Sequence, residues 1–140
     1  MTATEQDLFD QLTFYTLAHG DPRFLHQHAV DAFAAQRATG ETKPIKITFA
    51  LVGLYLFLEK GFTGREVQRV HMRLAARRKS WPRPEPPAER GEITIADVVQ
   101  VPAGPERDRA IERWCASVWR PYQVHRELIA SLLQQELEIR

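Results

Sequence analysis

The chain has 140 residues, of which 44% are hydrophobic and 26% are charged, and its formal net charge at pH 7 is +1. This is the composition of one globular, soluble domain, and it excludes an intrinsically disordered chain. A single cysteine, Cys115, excludes an intrachain disulfide framework and favours a reducing, cytoplasmic compartment. The apolar run 49–58 is about half as long as a membrane span requires, so no membrane segment is expected.

The first half of the chain carries the spacing and punctuation of three helices. Thr4 and Asp7 have the spacing of a capping box ahead of the first helix. Asp21-Pro22 predicts the start of a second helix, with an N-cap carboxylate and a proline at the first helical position. A third helix is predicted over about 44–60, and its segment 49–58 is apolar on all sides. Such a helix is expected to lie at the centre of a bundle.

The second half begins with another capping box, Thr63 and Glu66, which predicts a fourth helix over about 64–79. The segment 80–92 contains four prolines and predicts a semi-rigid connector. A short helix and one long final helix with a kink at Pro121 are expected to follow. The prediction is therefore an all-α fold, a single antiparallel helical bundle over residues 1–140. It has about five main helices, a proline-rich connector (80–92) and a short extra helix.

The histidines are the most informative polar residues. Four of the five are predicted to point into the core from four different helices: His19, His26, His71 and His125. The fifth, His28, is predicted to face solvent beside Asp31. Because bundle cores can hold metals between facing helices, His26, His71 and His125 are candidate metal ligands, with His19 or Glu59 as the fourth. Imidazole suits a divalent transition metal such as Zn, Ni or Fe. The alternative is that each histidine is an ordinary core residue bound to a carbonyl or a water.

A buried pocket around these histidines is a second expectation. Its candidate residues come from the second and the final predicted helices and from the connector: His26, Gln36, Trp81, Trp114 and His125. In this hypothesis the connector covers an apolar pocket with a few inward polar groups. The alternative is that Trp81 and the prolines only pack the connector onto the bundle. No nucleophile motif or glycine-rich phosphate loop accompanies the pocket, so the sequence predicts no particular reaction.

The predicted fourth helix also carries a basic face, formed by Arg65, Arg69, Arg73 and Arg77 at four-residue spacing. Such a face binds acidic proteins or nucleic acids, or it is an ordinary solvated surface. The low net charge and the lack of aromatic residues between the arginines argue against nucleic acid. Two functions therefore remain. One is a pocket that binds a metal or a small molecule. The other is a non-catalytic interaction protein that uses helix 64–79 for a partner or for self-association as a homodimer.

The segment 26–36, His-Gln-His-Ala-Val-Asp-Ala-Phe-Ala-Ala-Gln, resembles a bacterial family known only as a domain of unknown function. The resemblance continues at 54–61, Trp81-Pro82, 93–98 and 114–125. It implies no activity or cofactor, but it implies a shared pattern of seven residues: His26, Asp31, Gln36, Trp81, Trp114, Trp119 and His125. In architecture alone the chain is also similar to DinB-like bundles, which hold a divalent metal with three histidines. The pair of histidines four apart that is usual in their final helix is missing here.

Overall fold

The computed structural model of the chain describes residues 3–18 and 21–139. These residues contain seven α-helices, one 3₁₀ turn and no strand. In chain order the helices are α1 (Glu5–Ala18), α2 (Leu25–Arg37), α3 (Pro44–Lys60), α4 (Gly64–Arg77), α5 (Ile95–Gln100), α6 (Pro105–Tyr122) and α7 (Arg126–Leu137), and the 3₁₀ turn Gln123–His125 joins the last two. Across the described ranges, no helix combines the length and the apolar character needed to cross a membrane. The predicted all-α, single-domain fold is confirmed.

Helix α3 lies at the centre of the bundle, as its all-apolar segment predicts. Every residue from Ala50 to Leu56 is buried, and α3 packs against α2, α4, α6 and α7. Burial of a leucine-sized side chain is worth about 1.5–3 kcal/mol, so this helix supplies much of the core energy. Gly61 ends α3 in the left-handed conformation and donates its N–H to the carbonyl of Leu56.

Helix α2 is a second central helix, and it begins later than the sequence predicts. The helix starts at Leu25, not at Pro22, because Phe24 adopts a left-handed conformation with φ 56°. Asp21 still acts as a cap, since its carboxylate accepts from the backbone N–H groups of Arg23 and Leu25. The turn that results packs on the first residue of α4, whose N–H donates to the carbonyl of Arg23 at 2.7 Å.

The predicted long final helix is two helices. Pro121 lies inside α6, and the chain leaves α-helical geometry just after it, at Gln123–His125. A proline at this position cannot donate to the carbonyl four residues earlier, which belongs to Ser117. The backbone of Gly91 packs against that carbonyl so closely that an added Cβ would lie 2.6 Å from it. The connector therefore approaches α6 at the carbonyl to which Pro121 cannot donate.

The predicted proline-rich connector, residues 80–92, is non-helical and held to the bundle along its length. Thr48 of α3 donates its hydroxyl to the carbonyl of Pro82, and Ser117 of α6 accepts from the N–H of Ile93, both at 3.0 Å. Arg90 donates to the carbonyls of Gln36 and Ala38 at the C-terminal end of α2. These bonds occupy carbonyls that the helix end cannot satisfy by itself.

Candidate functional site

The predicted core histidines bind separate partners. The Nδ1 atom of His26 pairs with the hydroxyl of Thr16 at 3.0 Å, and the Nε2 atom of His71 lies 2.9 Å from the carbonyl oxygen of Phe49. His125 lies in the 3₁₀ turn, where its Nε2 atom is 2.7 Å from the carbonyl oxygen of Glu85 in the connector. His19 is outside the described residues.

The predicted ligand set His26, His71 and His125 is accordingly not assembled. No group of three His, Cys, Asp or Glu side chains within residues 3–18 and 21–139 could hold a metal ion. The carboxylate predicted as a further ligand, Glu59, accepts instead from the indole N–H of Trp119 and from Arg126. A helical wheel gives direction around one axis but not height along it, which is why four inward histidines need not meet.

Two of the five predicted pocket residues are brought together. The indole N–H of the fully buried Trp114 donates to Oε1 of Gln36 at 2.9 Å. The amide nitrogen of Gln36 donates in turn to the carbonyls of Arg90 and Ile93. Gln36 therefore joins α2, α6 and the connector through three hydrogen bonds. His26, Trp81 and His125 lie elsewhere, each with different neighbours, so Gln36 and Trp114 form an anchor for the connector.

His28 and Asp31 correct the sequence prediction most strongly. Both were expected at the surface, but His28 is 1% exposed and Asp31 is 3% exposed. The imidazole ring stacks on Phe57 of α3 with 3.6 Å between ring centroids. Asp31 accepts from the amide of Gln27 at 3.1 Å. The prediction was wrong because α2 is covered on nearly all sides, by α1, α3, α4 and α6.

Gln27, His28 and Asp31 form a buried polar cluster on α2, and two of its side-chain atoms lack a hydrogen-bond partner. Nδ1 of His28 and Oδ2 of Asp31 are the buried side-chain nitrogen and oxygen atoms in the described parts of the chain that make no hydrogen bond. Burial and, to a smaller extent, Arg23 lower the pKa of His28, which Asp21 partly offsets, so that it lies at about 4. Burial raises the pKa of Asp31 well above its ordinary value, so both side chains favour their neutral forms.

Cys115 of α6 is part of the same buried region. Its thiol donates to the backbone carbonyl of His28 at 3.5 Å, and it is fully buried. Burial raises the pKa of this thiol well above its ordinary value. A neutral, inaccessible thiol is a poor nucleophile. One sequence signal could have indicated the buried polar cluster on α2: Gly53, a glycine in the middle of the otherwise apolar segment of α3.

The basic face of α4 consists of Arg65, Arg69, Arg73 and Arg77, and all four side chains are exposed as predicted. The guanidinium of Arg65 lies over the ring of Phe24, 3.9 Å from its centroid, and Arg77 lies 3.8 Å from Glu136. Arg69 and Arg73 make no hydrogen bond or ion pair with any described residue. The same face includes Ala76 and Met72, which is 72% exposed.

A groove of about 440 Å³ lies where the end of α4, the start of the connector and α7 meet. Its lining combines apolar and polar side chains: Arg78, Ser80, Trp81, Pro82, Leu128, Ser131, Leu132 and Gln135. Trp81 packs edge-on against Phe49, and the guanidinium of Arg78 lies 5.8 Å from the Trp81 ring centroid. This groove contains one predicted pocket residue, Trp81, and lies apart from the Gln36–Trp114 anchor.

A family model matches residues 3–123, which cover α1 to α6 and the connector. The chain belongs to DUF5946, a family of unknown function. The predicted resemblance to a family known only as a domain of unknown function is thereby confirmed. Both the buried polar cluster and the basic face lie inside the part matched to DUF5946, whereas α7 lies beyond it. No curated protein and no solved structure is significantly similar to the chain.

Proposed function

We propose that this chain is an interaction module whose basic face on α4 binds an acidic, amphipathic segment of a protein. One observation carries the proposal: Arg69 and Arg73 are exposed without an ion pair or hydrogen bond to the described residues, beside the exposed Met72. An apolar side chain between unpaired cations suits a partner that presents carboxylates around an apolar residue.

The composition of the face favours a protein over a nucleic acid. Its exposed apolar residues are Met72 and Ala76, which offer aliphatic contact but no ring on which a base could stack. Surface ion pairs contribute only about 0.2–1 kcal/mol each, so arginine–carboxylate contacts alone give weak binding. Burial of Met72 adds a further contribution of about 1.5–3 kcal/mol if its side chain becomes fully covered. Both parts of the face are therefore needed.

Fluorescence anisotropy with a defined probe tests the proposal. The probe is a labelled synthetic helix that carries glutamates at four-residue spacing with leucines between them, and the competing probe is a single-stranded DNA oligonucleotide of equal charge. Arg69→Glu with Arg73→Glu should weaken binding of the acidic helix by about ten-fold or more, because two favourable pairs become repulsive. Met72→Ser alone should also weaken binding of the acidic helix, without changing the salt dependence of that binding.

The matched control is Arg109→Glu with Arg113→Glu on α6. These two arginines are exposed and have the same four-residue spacing, but they lie on a helix of mixed charge. The control should keep the affinity within about two-fold, since distant surface charges are screened by salt. Equal losses in both variants would show a general charge effect and would overturn the proposal. Tighter binding of the DNA than of the acidic helix would overturn it as well.

A second candidate function is small-molecule binding in the groove beside Trp81. The supporting observation is its volume of about 440 Å³, which lies within the range of ligand pockets, together with its leucines and one arginine. The probe is 1-anilinonaphthalene-8-sulfonate, an aromatic anion. Trp114 and Trp119 are buried, so Trp81 is the indole within reach of the groove. Trp81→Ala should abolish the fluorescence enhancement of the bound probe, and an unchanged enhancement would contradict this candidate.

A further inference from the structure

The acidic segment that fits the basic face of α4 is present in the chain itself, on α1. Helix α1 contains Glu5, Asp7 and Asp10 and no lysine or arginine. Helix α4 contains four arginines and the single acid Glu66. The two helices therefore carry opposite net charge. The capping interaction with Thr4 lowers the pKa of Asp7, which keeps its carboxylate ionised.

Helix α1 also exposes two large apolar side chains beyond its acidic end. Phe14 is 79% exposed and Leu17 is 54% exposed, and both are among the large apolar side chains that the described residues leave exposed. At 100° per residue Asp7, Asp10, Phe14 and Leu17 fall within an arc of about 80°, so they form one stripe. Exposed apolar side chains grouped in this way are typical of an interaction site.

The α1 stripe and the basic face of α4 match in the spacing of their charged and apolar residues as well as in charge. On α1 the separation from Asp7 to Phe14 is seven residues, and on α4 the separation from Arg65 to Met72 is also seven, about 10.5 Å in each case. In a parallel alignment the acidic half of α1 meets Arg65 and Arg69, and its apolar half meets Met72. An antiparallel alignment with the same Phe14–Met72 contact would place the acidic half of α1 against Arg73 and Arg77, where Glu136 already lies 3.8 Å from Arg77 and would repel the carboxylates.

We infer that two copies of this chain associate by laying the α1 stripe of one copy on the α4 basic face of the other, in parallel. The inference rests on the proposed function, because it names the partner of the same basic face. The contact joins two different surfaces, so each copy offers one of each kind. A dimer that makes both contacts and a longer assembly that makes one contact per copy both depend on the same two stripes.

Charge-swap variants of the full chain test the inference by light scattering coupled to gel filtration. The α1 variant is Asp10→Arg with Gln11→Arg, which leaves the Thr4–Asp7 cap intact. The α4 variant is Arg65→Asp with Arg69→Asp. Each variant alone should raise the dissociation constant of the wild-type assembly by about ten-fold or more. An equimolar mixture should restore association in part, since the α4 variant keeps a wild-type α1 stripe and the α1 variant keeps a wild-type basic face, and these two surfaces are complementary.

Phe14→Glu supplies an apolar test with a matched control. Val124 is 76% exposed in the 3₁₀ turn, far in sequence from both stripes, so Val124→Glu should leave the association unchanged. Phe14→Glu should weaken it, because the ring would lose its contact with Met72. Circular dichroism checks that each variant remains helical.

Three results would overturn the inference. The first is a wild type that stays monomeric at about 1 mM, a concentration above the dissociation constants of weak specific interfaces. The other two are a mixture of the swap variants that stays monomeric, and equal effects of Phe14→Glu and Val124→Glu. A monomeric wild type that still binds the acidic helix through Arg69 and Arg73 would refute self-association but leave the proposed function standing. A wild type that neither self-associates nor binds the acidic helix would refute both the inference and the proposed function.

Discussion

Helices α2 and α4 are similar in length and both look amphipathic in sequence, yet only α4 presents its polar side to solvent. The arginines of α4 are exposed as predicted, whereas His28 and Asp31 of α2 are buried. Helix α4 packs against α2, α3 and α7, yet the four arginines of its basic face stay exposed, although Arg77 lies near Glu136 of α7. Helix α2 is enclosed by four neighbouring helices. A helical wheel therefore shows which face of a helix is more polar, but the packing of neighbouring helices decides which faces are exposed to solvent.

The polar side of α2 can be buried because α3 leaves room for it. Gly53 faces Asp31, and a Cβ atom added at Gly53 would lie 1.8 Å from Oδ2 of the carboxylate. The polar side of α4 has no such counterpart, and burial of its guanidinium groups would be costly without partners. The difference predicts that mutations in the α2 cluster affect stability and that mutations on the α4 face affect binding.

Gly53→Ala should have the largest effect on stability. The new methyl group would overlap the buried carboxylate of Asp31, and overpacking of a core typically costs about 1–3 kcal/mol. We expect a loss near the upper end of this range in urea denaturation. Asp31→Ala combined with Gly53→Ala should be more stable than Gly53→Ala alone, because the overlap disappears. Additive effects of the two substitutions would show that the close approach does not govern this position.

Gln36→Met should destabilise the protein by about 2 kcal/mol. It leaves the buried indole N–H of Trp114 and the carbonyls of Arg90 and Ile93 without their partner, and each unsatisfied buried group costs about 1–3 kcal/mol before relaxation. Gln68→Met on α4 is the matched control. Its side chain only accepts from Arg65 at the surface, so we expect a change within about 0.5 kcal/mol. Equal losses would contradict the role of Gln36 as an anchor.

The stability of the protein should fall in acid because of its buried histidines. Burial lowers the pKa of His28 and of His71 to about 4, below the ordinary value of 6.5. The unfolded chain therefore binds more protons, and the stability that each neutral histidine supplies is complete above pH 6.5 and lost as the pH falls towards 4. Each contributes a slope of at most about 1.4 kcal/mol per pH unit. The raised pKa of Asp31 acts in the opposite direction, since its stabilising effect is lost as pH rises through that pKa.

Urea titrations between pH 4 and 7 measure this slope. His28→Gln should reduce it, and His71→Gln should reduce it independently, because the two rings stack on different residues, Phe57 and Phe49. Arg69→Glu with Arg73→Glu should leave the slope within error. A slope that is unchanged in His28→Gln would show that this imidazole is protonated to the same extent in the folded and unfolded chains.

Local signals predicted most of the fold, and the candidate site was predicted only in part. The predicted capping box at Thr63 defines the start of α4, because a short-range side-chain bond suffices to fix a helix start. The left-handed Phe24 was not predictable, since it depends on packing against α4. Similarly, the pairing of Gln36 with Trp114 joins residues 78 positions apart, and the spacing pattern carries no information on such a distance.

The smallest expected effect on stability belongs to the face proposed for binding. Arg69→Glu with Arg73→Glu removes no hydrogen bond or ion pair to a described residue, so the free energy of unfolding should change by less than about 0.5 kcal/mol. Any change should be a loss, because Glu66 would gain an acidic neighbour three residues away on the same helix. Urea denaturation at two salt concentrations measures it. A loss above about 1.5 kcal/mol would give these arginines a structural role, and reduced binding could then follow from partial unfolding. A small loss together with a ten-fold weaker complex would separate the two helices as inferred, with α2 maintaining the fold and α4 contacting the partner.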